Sequence, residues 1–96
     1  MADSIPKLKG TDVMVLRRGM RMQFESAQDS WTLLYPEGMV QLSESAADIL
    51  KRVDGLSDID RIIDDLNRTY DTDTRSDVLE FLETAHDHRW IDRATR

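Results

Sequence analysis

The 96-residue chain has no cysteine, and this absence excludes disulfides, thiolate metal sites, iron–sulfur clusters and cysteine nucleophiles together. No stretch approaches the roughly 20 apolar residues of a membrane span. Met1 to Leu8 carries charges and Pro6 rather than the apolar run of a secretion signal. A glycine-rich phosphate loop is also missing, and strands do not alternate with helices, so a doubly wound nucleotide fold is not expected. These absences together point to a soluble, cytoplasmic chain in a reducing compartment, with no membrane contact and no cofactor.

Length sets a further bound. Ninety-six residues make one modest core and leave no room for a separate catalytic domain. The apolar fraction, 40%, lies a little under the usual share and the charged fraction, 33%, above it, so much of the molecule is surface and a deep, dry active site is difficult to build. The net charge of −6 is unevenly placed: residues 1–42 carry five basic and five acidic side chains, and residues 43–96 carry eight and fourteen. A surface of that sign repels phosphate backbones, whose neutralisation by Lys and Arg supplies most non-specific nucleic-acid affinity.

The pattern along the chain changes period once. Residues 1–16 are mixed and weakly periodic and are expected to form a weakly ordered arm, with Val13 to Leu16 a candidate short strand. After the Arg17-Arg18-Gly19 break, Met20, Met22 and Phe24 alternate with Arg21, Gln23 and Glu25, as in a half-buried strand. Trp31 to Tyr35, then Pro36-Glu37-Gly38, then Met39 to Leu42 reads as a hairpin, so the first half predicts a three-stranded antiparallel sheet. From Ser43, a good N-cap, Ala46, Ile49, Leu50 and Val53 recur at helical spacing until Gly55. A second helix is expected from Ser57, with Asp60 in the capping-box position and Ile59, Ile62, Ile63, Leu66 and Tyr70 inward. A third is expected from Asp73 or Thr74, presenting Val78, Phe81, Leu82 and Ala85 and ending before Trp90-Ile91. The class is small α+β, winged-helix-like: a three-stranded antiparallel sheet followed by three helices, with residues 17–92 as a single domain.

Candidate chemical sites are weak. His86-Asp87-His88 places two imidazoles two residues apart, about 200° apart on a helix, where a chelating pair needs a separation of four. Asp64-Asp65 diverge in the same way, and Asp71, Asp73 and Asp77 lack the glycine and terminal glutamate of a calcium loop. No nucleophile stands beside a base, so no metal site and no catalytic residue is expected. A DNA-reading third helix would carry Arg, Asn or Gln. This one has Asp73, Asp77, Glu80, Glu83 and Asp87 against Arg75 and Arg89. Met20, Met22 and Met39 read either as core gap-fillers or as an adaptable apolar surface for a peptide.

As a set, Leu33-Leu34-Tyr35-Pro36-Glu37-Gly38, then Val40-x-Leu42, Ser45-Ala46-x-x-Ile49-Leu50, Asp54-Gly55, Asp77-Val78-x-x-Phe81-Leu82 and Trp90-Ile91 resembles the PqqD family of pyrroloquinoline quinone biosynthesis. The likeness runs from about Arg17 to Ile91, with Arg89 standing where the family often has glycine. It implies a non-enzymatic peptide-recognition domain of the kind that binds the precursor peptide PqqA and presents it to the radical SAM enzyme PqqE. Related domains recognise leader peptides in other ribosomal-peptide pathways, and that is the alternative reading. A winged-helix nucleic-acid regulator, a small enzyme and a purely structural adaptor stand behind it.

The residues suggest how such a domain would work. An edge strand offers unpaired N–H and C=O groups to which a peptide adds as a further strand, while side-chain pockets select it. The site is therefore expected at Met39, Val40, Gln41 and Leu42 and on the adjacent face of the third helix, at Leu79, Leu82 and His86, with Arg75 meeting a peptide carboxylate. The same edge chemistry permits self-association, so a monomer or a weak dimer is expected.

Overall fold

The computed structural model describes residues 8–94, in the order β1 (Val13–Leu16), β2 (Arg21–Glu25), β3 (Ser30–Tyr35), β4 (Gly38–Gln41), α1 (Glu44–Leu50), β5 (Asp54–Asp58), α2 (Ile59–Tyr70), α3 (Arg75–Asp87) and β6 (Ile91–Arg93). The α+β class is as expected. No helix among the described residues is long and apolar enough to cross a membrane. The strands form two antiparallel three-stranded sheets, one ordered β2-β3-β4 and the other β5-β1-β6. The first is the sheet read from the alternating pattern. The second makes the winged-helix description a loose one, because it stitches the start, middle and end of the chain together.

That second sheet corrects the expected arm. Residues 1–7 of it lie outside the described residues. The remainder is packed: Leu8 and Met14 belong to the core at 6% and 0% exposure, and β1 is the central strand between β5 and β6. The carbonyls of Asp12 and Gly10 also accept from the N–H groups of Ile59 and Asp60 (3.0 and 2.8 Å). They thereby satisfy donors that the first turn of α2 cannot satisfy itself. A Cβ at Gly10 would stand 2.2 Å from a carboxylate oxygen of Asp60, so a larger residue there would require the Asp60 side chain to move aside.

Asp54-Gly55, expected to end the first helix, lies instead in β5. Helix α1 closes at Leu50, capped by Lys51, and Val53 is buried in the connection that follows. Gly55 has φ of +78°, and Asp54 accepts from the N–H groups of Leu56 and Ser57 (2.9 and 2.8 Å), so β5 bulges against β1 between Val13 and Val15. The second helix accordingly starts one residue later than expected. Asp58, not Ser57, is its N-cap, accepting from Arg61 N–H at 2.9 Å. Ser43 caps α1 as expected, through the N–H of Ala46 (3.1 Å).

The core is one cluster in which Leu33 of the first sheet, Met14 and Ile91 of the second, and Leu50, Ile62, Ile63, Leu66, Val78 and Leu82 of the helices are all but fully buried. Each helix thus turns its apolar stripe inward. The side chain of Asn67 in α2 accepts from both the N–H and the hydroxyl of Thr74 (2.7 Å each), which fixes where α3 begins.

Candidate functional site

Strand β4 pairs on one side with β3 and is the edge of its sheet. Its register is Thr32 with Gln41, Leu33 with Val40, Leu34 with Met39 and Tyr35 with Gly38. Leu42 N–H donates to the Trp31 carbonyl at 2.9 Å, which makes that pair a bonded one. Bonded and non-bonded pairs alternate along an antiparallel ladder, so Gly38 and Val40 also direct their backbone groups to β3. Met39 and Gln41 direct theirs to the open side.

The side chains sort in the opposite sense. Residues directly opposite one another share a face of the sheet. Met22, Leu33 and Val40 make a row on the core side, where Leu33 is 0% exposed, whereas Arg21, Leu34 and Met39 make a row on the outer side, where Met39 is 66% exposed. Among the four strand residues expected to form the site, Met39 and Gln41 therefore offer backbone and Val40 offers a side chain on the helix side. Leu42, at 7% exposure, is core.

Helix α3 departs further from expectation. Leu82 is 0% exposed and is a core residue, not a peptide contact. Arg75 is already paired with Asp60 of α2 at 3.0 Å, and Glu83 accepts from the Leu8 N–H at 2.8 Å. The flank bearing Arg75, Leu79, Glu83 and His86 thus faces the N-terminal segment and the start of α2. On the other flank, Thr74 and Asp77 share a cleft of about 330 Å³ with Ser45 and Ile49 of α1, and His88 shares one of about 590 Å³ with Val40 of β4. Asp77, Phe81, Thr84 and His88 recur at helical spacing, so this is the flank turned toward β4 and α1. Phe81 is its partly buried apolar member. Leu79 and His86, expected to join β4 in one groove, lie on the flank away from it.

Sequence reasoning also missed the cleft beside Val40. Its lining includes Arg17, Arg18, His88, Arg89 and Trp90, together with Met20 and Tyr35. Trp90 stacks on His88 with ring centroids 5.1 Å apart, and its carbonyl accepts from Arg17 N–H at 2.9 Å. The only sequence signal was the pair Arg17-Arg18, read as a break, and the His86-Asp87-His88 cluster, read as unable to chelate a metal. Nothing local connects residues 17 and 89.

Elsewhere the polar groups serve structure. Tyr70 donates to Asp48, which holds the Asp48 carboxyl below its ordinary value and the Tyr70 hydroxyl above its own. Arg52 donates to Asp65 at 2.6 Å and lowers that carboxyl too, although Asp65 is well solvated. No group of three His, Asp or Glu side chains among the described residues is arranged to hold a metal ion.

Comparison with known proteins agrees with this architecture. A family model described as coenzyme PQQ synthesis protein D (PqqD) matches residues 30–91. A Pseudomonas paraeruginosa protein named PqqA binding protein is 50% identical over 91 residues, covering 93% of this chain and 97% of that one. A Klebsiella pneumoniae protein of the same name is 44% identical over 86 residues, covering 88% and 94%. The solution NMR structure of the PqqD truncation of Methylobacterium extorquens PqqCD, described as a functional and stand-alone RiPP recognition element, superposes with a TM-score of 0.77 at 34% identity, covering 90% of this chain and 95% of that one. The crystal structure of PqqD from Xanthomonas campestris gives 0.51 at 33% identity, with 94% of each chain covered.

Proposed function

The chain belongs to the PqqD family, and from that premise we propose that it binds the precursor peptide PqqA along the open edge of β4 and presents it to the radical SAM enzyme PqqE. It is a binding accessory and not a catalyst. The observation that carries the reading is the division of labour in β4: Met39 and Gln41 turn unpaired backbone groups outward while Val40 turns a side chain toward the helices. A peptide joining as a fourth strand gains main-chain bonds from the first pair. It lays alternate side chains in the groove between Val40 and the Asp77–Phe81–His88 flank. Helix α3, at 13 residues, is about 20 Å long, enough for roughly six extended peptide residues.

The test is a titration of the isotope-labelled domain with synthetic PqqA, followed by backbone amide NMR. The expected result is a set of shifts in Met39 to Gln41, in the Asp77, Phe81 and His88 flank, and at Trp90. An unchanged spectrum at high micromolar peptide would remove the reading.

A further inference from the structure

The cleft at the Gly38 end of β4 has a charge opposite to that of the chain. Three guanidinium-bearing residues line it, Arg17, Arg18 and Arg89, against the single carboxylate of Glu37, a local balance of 3 − 1 = +2 in a chain of net charge −6. All three are exposed, and none forms an ion pair among the described residues; Arg21 and Arg61 are likewise unpaired but stand apart from this cleft, while Arg52, Arg68, Arg75 and Arg93 are paired. The end of α3 does not account for this concentration. A helix C-terminus carries about half a negative charge, and three of its last four carbonyls are already taken. His88 N–H donates to Thr84 O (3.0 Å), Arg89 N–H to His86 O (3.0 Å) and Trp90 N–H to Ala85 O (2.9 Å).

The backbone at Arg89 points the same way. Its φ of +67° places it in the left-handed region at the residue after the helix cap, where glycine is the usual and less strained choice. An arginine held there projects a long cation from a position whose local geometry favours no side chain at all. Backbone conformation at such positions is retained where surrounding structure and a site require it. The cleft also contains the Trp90–His88 stack and Val40, so it is continuous with the side-chain row that the peptide would cover.

From this juxtaposition, and resting on the carrier reading above, we infer that the Arg17–Arg18–Arg89 cleft is an acidic-residue subsite: it takes one or more Asp or Glu side chains of the bound peptide just beyond the Gly38 end of β4. Main-chain pairing along a four-residue edge is nearly indifferent to sequence and to a two-residue slip. A carboxylate anchored at one end by guanidiniums fixes the register and the direction in which the peptide lies. Guanidinium is suited to this, since its fork pairs bidentately with a carboxylate.

The experiment measures Kd by calorimetry for two peptides, PqqA and a form with every Asp and Glu replaced by Asn and Gln. The proteins are the wild type, the triple variant Arg17→Gln/Arg18→Gln/Arg89→Gln, and Arg89→Gly, which relieves the backbone and keeps the fold. The acid-free peptide is expected to bind the wild type about tenfold more weakly than PqqA, the scale of a few exposed charge pairs. The triple variant is expected to lose about tenfold for PqqA and to no longer distinguish the peptides, and raising salt weakens only the wild-type pairing with PqqA. Equal affinity of wild type and triple variant for PqqA overturns the subsite while leaving the carrier reading intact. No binding of PqqA to the wild type overturns both. A triple variant that changes oligomeric state in sedimentation at unchanged PqqA affinity assigns the arginines to self-association and also overturns the subsite.

Discussion

Replacing Arg89 by glycine is expected to make the protein more stable. The residue has φ of +67° and closes α3 by the paired bonds Trp90 N–H to Ala85 O and Arg89 N–H to His86 O, the arrangement in which the left-handed residue is usually glycine. An L-residue in that conformation costs about 1 to 2 kcal/mol. Glycine removes this but loses about 0.4 to 1 kcal/mol through the greater freedom of the unfolded chain. The difference favours the variant by about 0.5 to 1 kcal/mol. For a domain of this size a change of 1 kcal/mol moves the midpoint by roughly 4 to 8 °C, so Tm should rise by about 2 to 8 °C. Arg89→Ala is the control, because it removes the same guanidinium and leaves the backbone cost in place. Thermal unfolding by circular dichroism of the three proteins at one concentration reads the result directly. A glycine variant that melts at or below the wild-type temperature would refute the assignment of Arg89 as the left-handed closing residue.

Three further outcomes are expected. Gln41→Pro removes an N–H that faces the open edge without touching the β3–β4 ladder, so Tm should hold while PqqA binds roughly three- to tenfold more weakly; unchanged affinity by calorimetry would place the peptide elsewhere. In α3, Phe81→Ala should weaken peptide binding in a folded protein, His86→Ala should leave it unchanged, and Leu82→Ala should cost about 2 to 5 kcal/mol of stability in urea unfolding because Leu82 is 0% exposed; a peptide-binding loss in His86→Ala with no loss in Phe81→Ala would reverse the choice of flank. Asp48, through its bond from Tyr70, and Asp54, through the N–H groups of Ser57 and Leu56, have carboxyls held below the ordinary 3.8. Their contribution is therefore present at neutral pH and lost as the pH falls through that value, so Tm should drop from about pH 5 downward and drop less in Asp54→Asn.

What was legible in the sequence was what local spacing encodes. Met20 to Leu42 alternates with turn residues between its runs, and the β2-β3-β4 sheet appears where that pattern put it. Ser43 and the inward stripe of Ile62, Ile63 and Leu66 likewise placed α1 and α2 to within a few residues. The β5-β1-β6 sheet was not legible as a sheet, because its strands are three to five residues long and lie far apart in the chain. Asp54-Gly55 has the chemistry of a helix stop and of a bulge alike, and only the pairing with β1 decides between them. Of the α3 residues expected at the groove, Leu79 and His86 lie on the flank away from β4, whereas Phe81 lies on the flank toward it. Leu79 and Phe81 are both apolar and flank the same buried stripe. The choice between them depends on where Leu8 and Asp60 sit, which no period in the helix reveals.

The dimensions of β4 explain why the edge alone is not enough. Met39 and Gln41 together present two N–H and two C=O groups to an incoming strand, and at about 0.5 to 1.5 kcal/mol each, four such bonds supply roughly 2 to 6 kcal/mol. Ordering a flexible peptide costs roughly 2 to 5 kcal/mol. The two nearly cancel, so strand addition positions the peptide without holding it. The same cancellation limits self-association through this edge, where strand pairing would set the β4 residues of two copies, Met39 among them, side by side and gain little else. On the proposed reading, affinity would come from side chains rather than from the strand's main chain: Val40 and Phe81 along the groove, and the guanidiniums at its end. Carboxylate pairing at an exposed cleft forms and breaks readily and is screened by salt. A domain built on the proposed reading would select its peptide by charge and register and still release it.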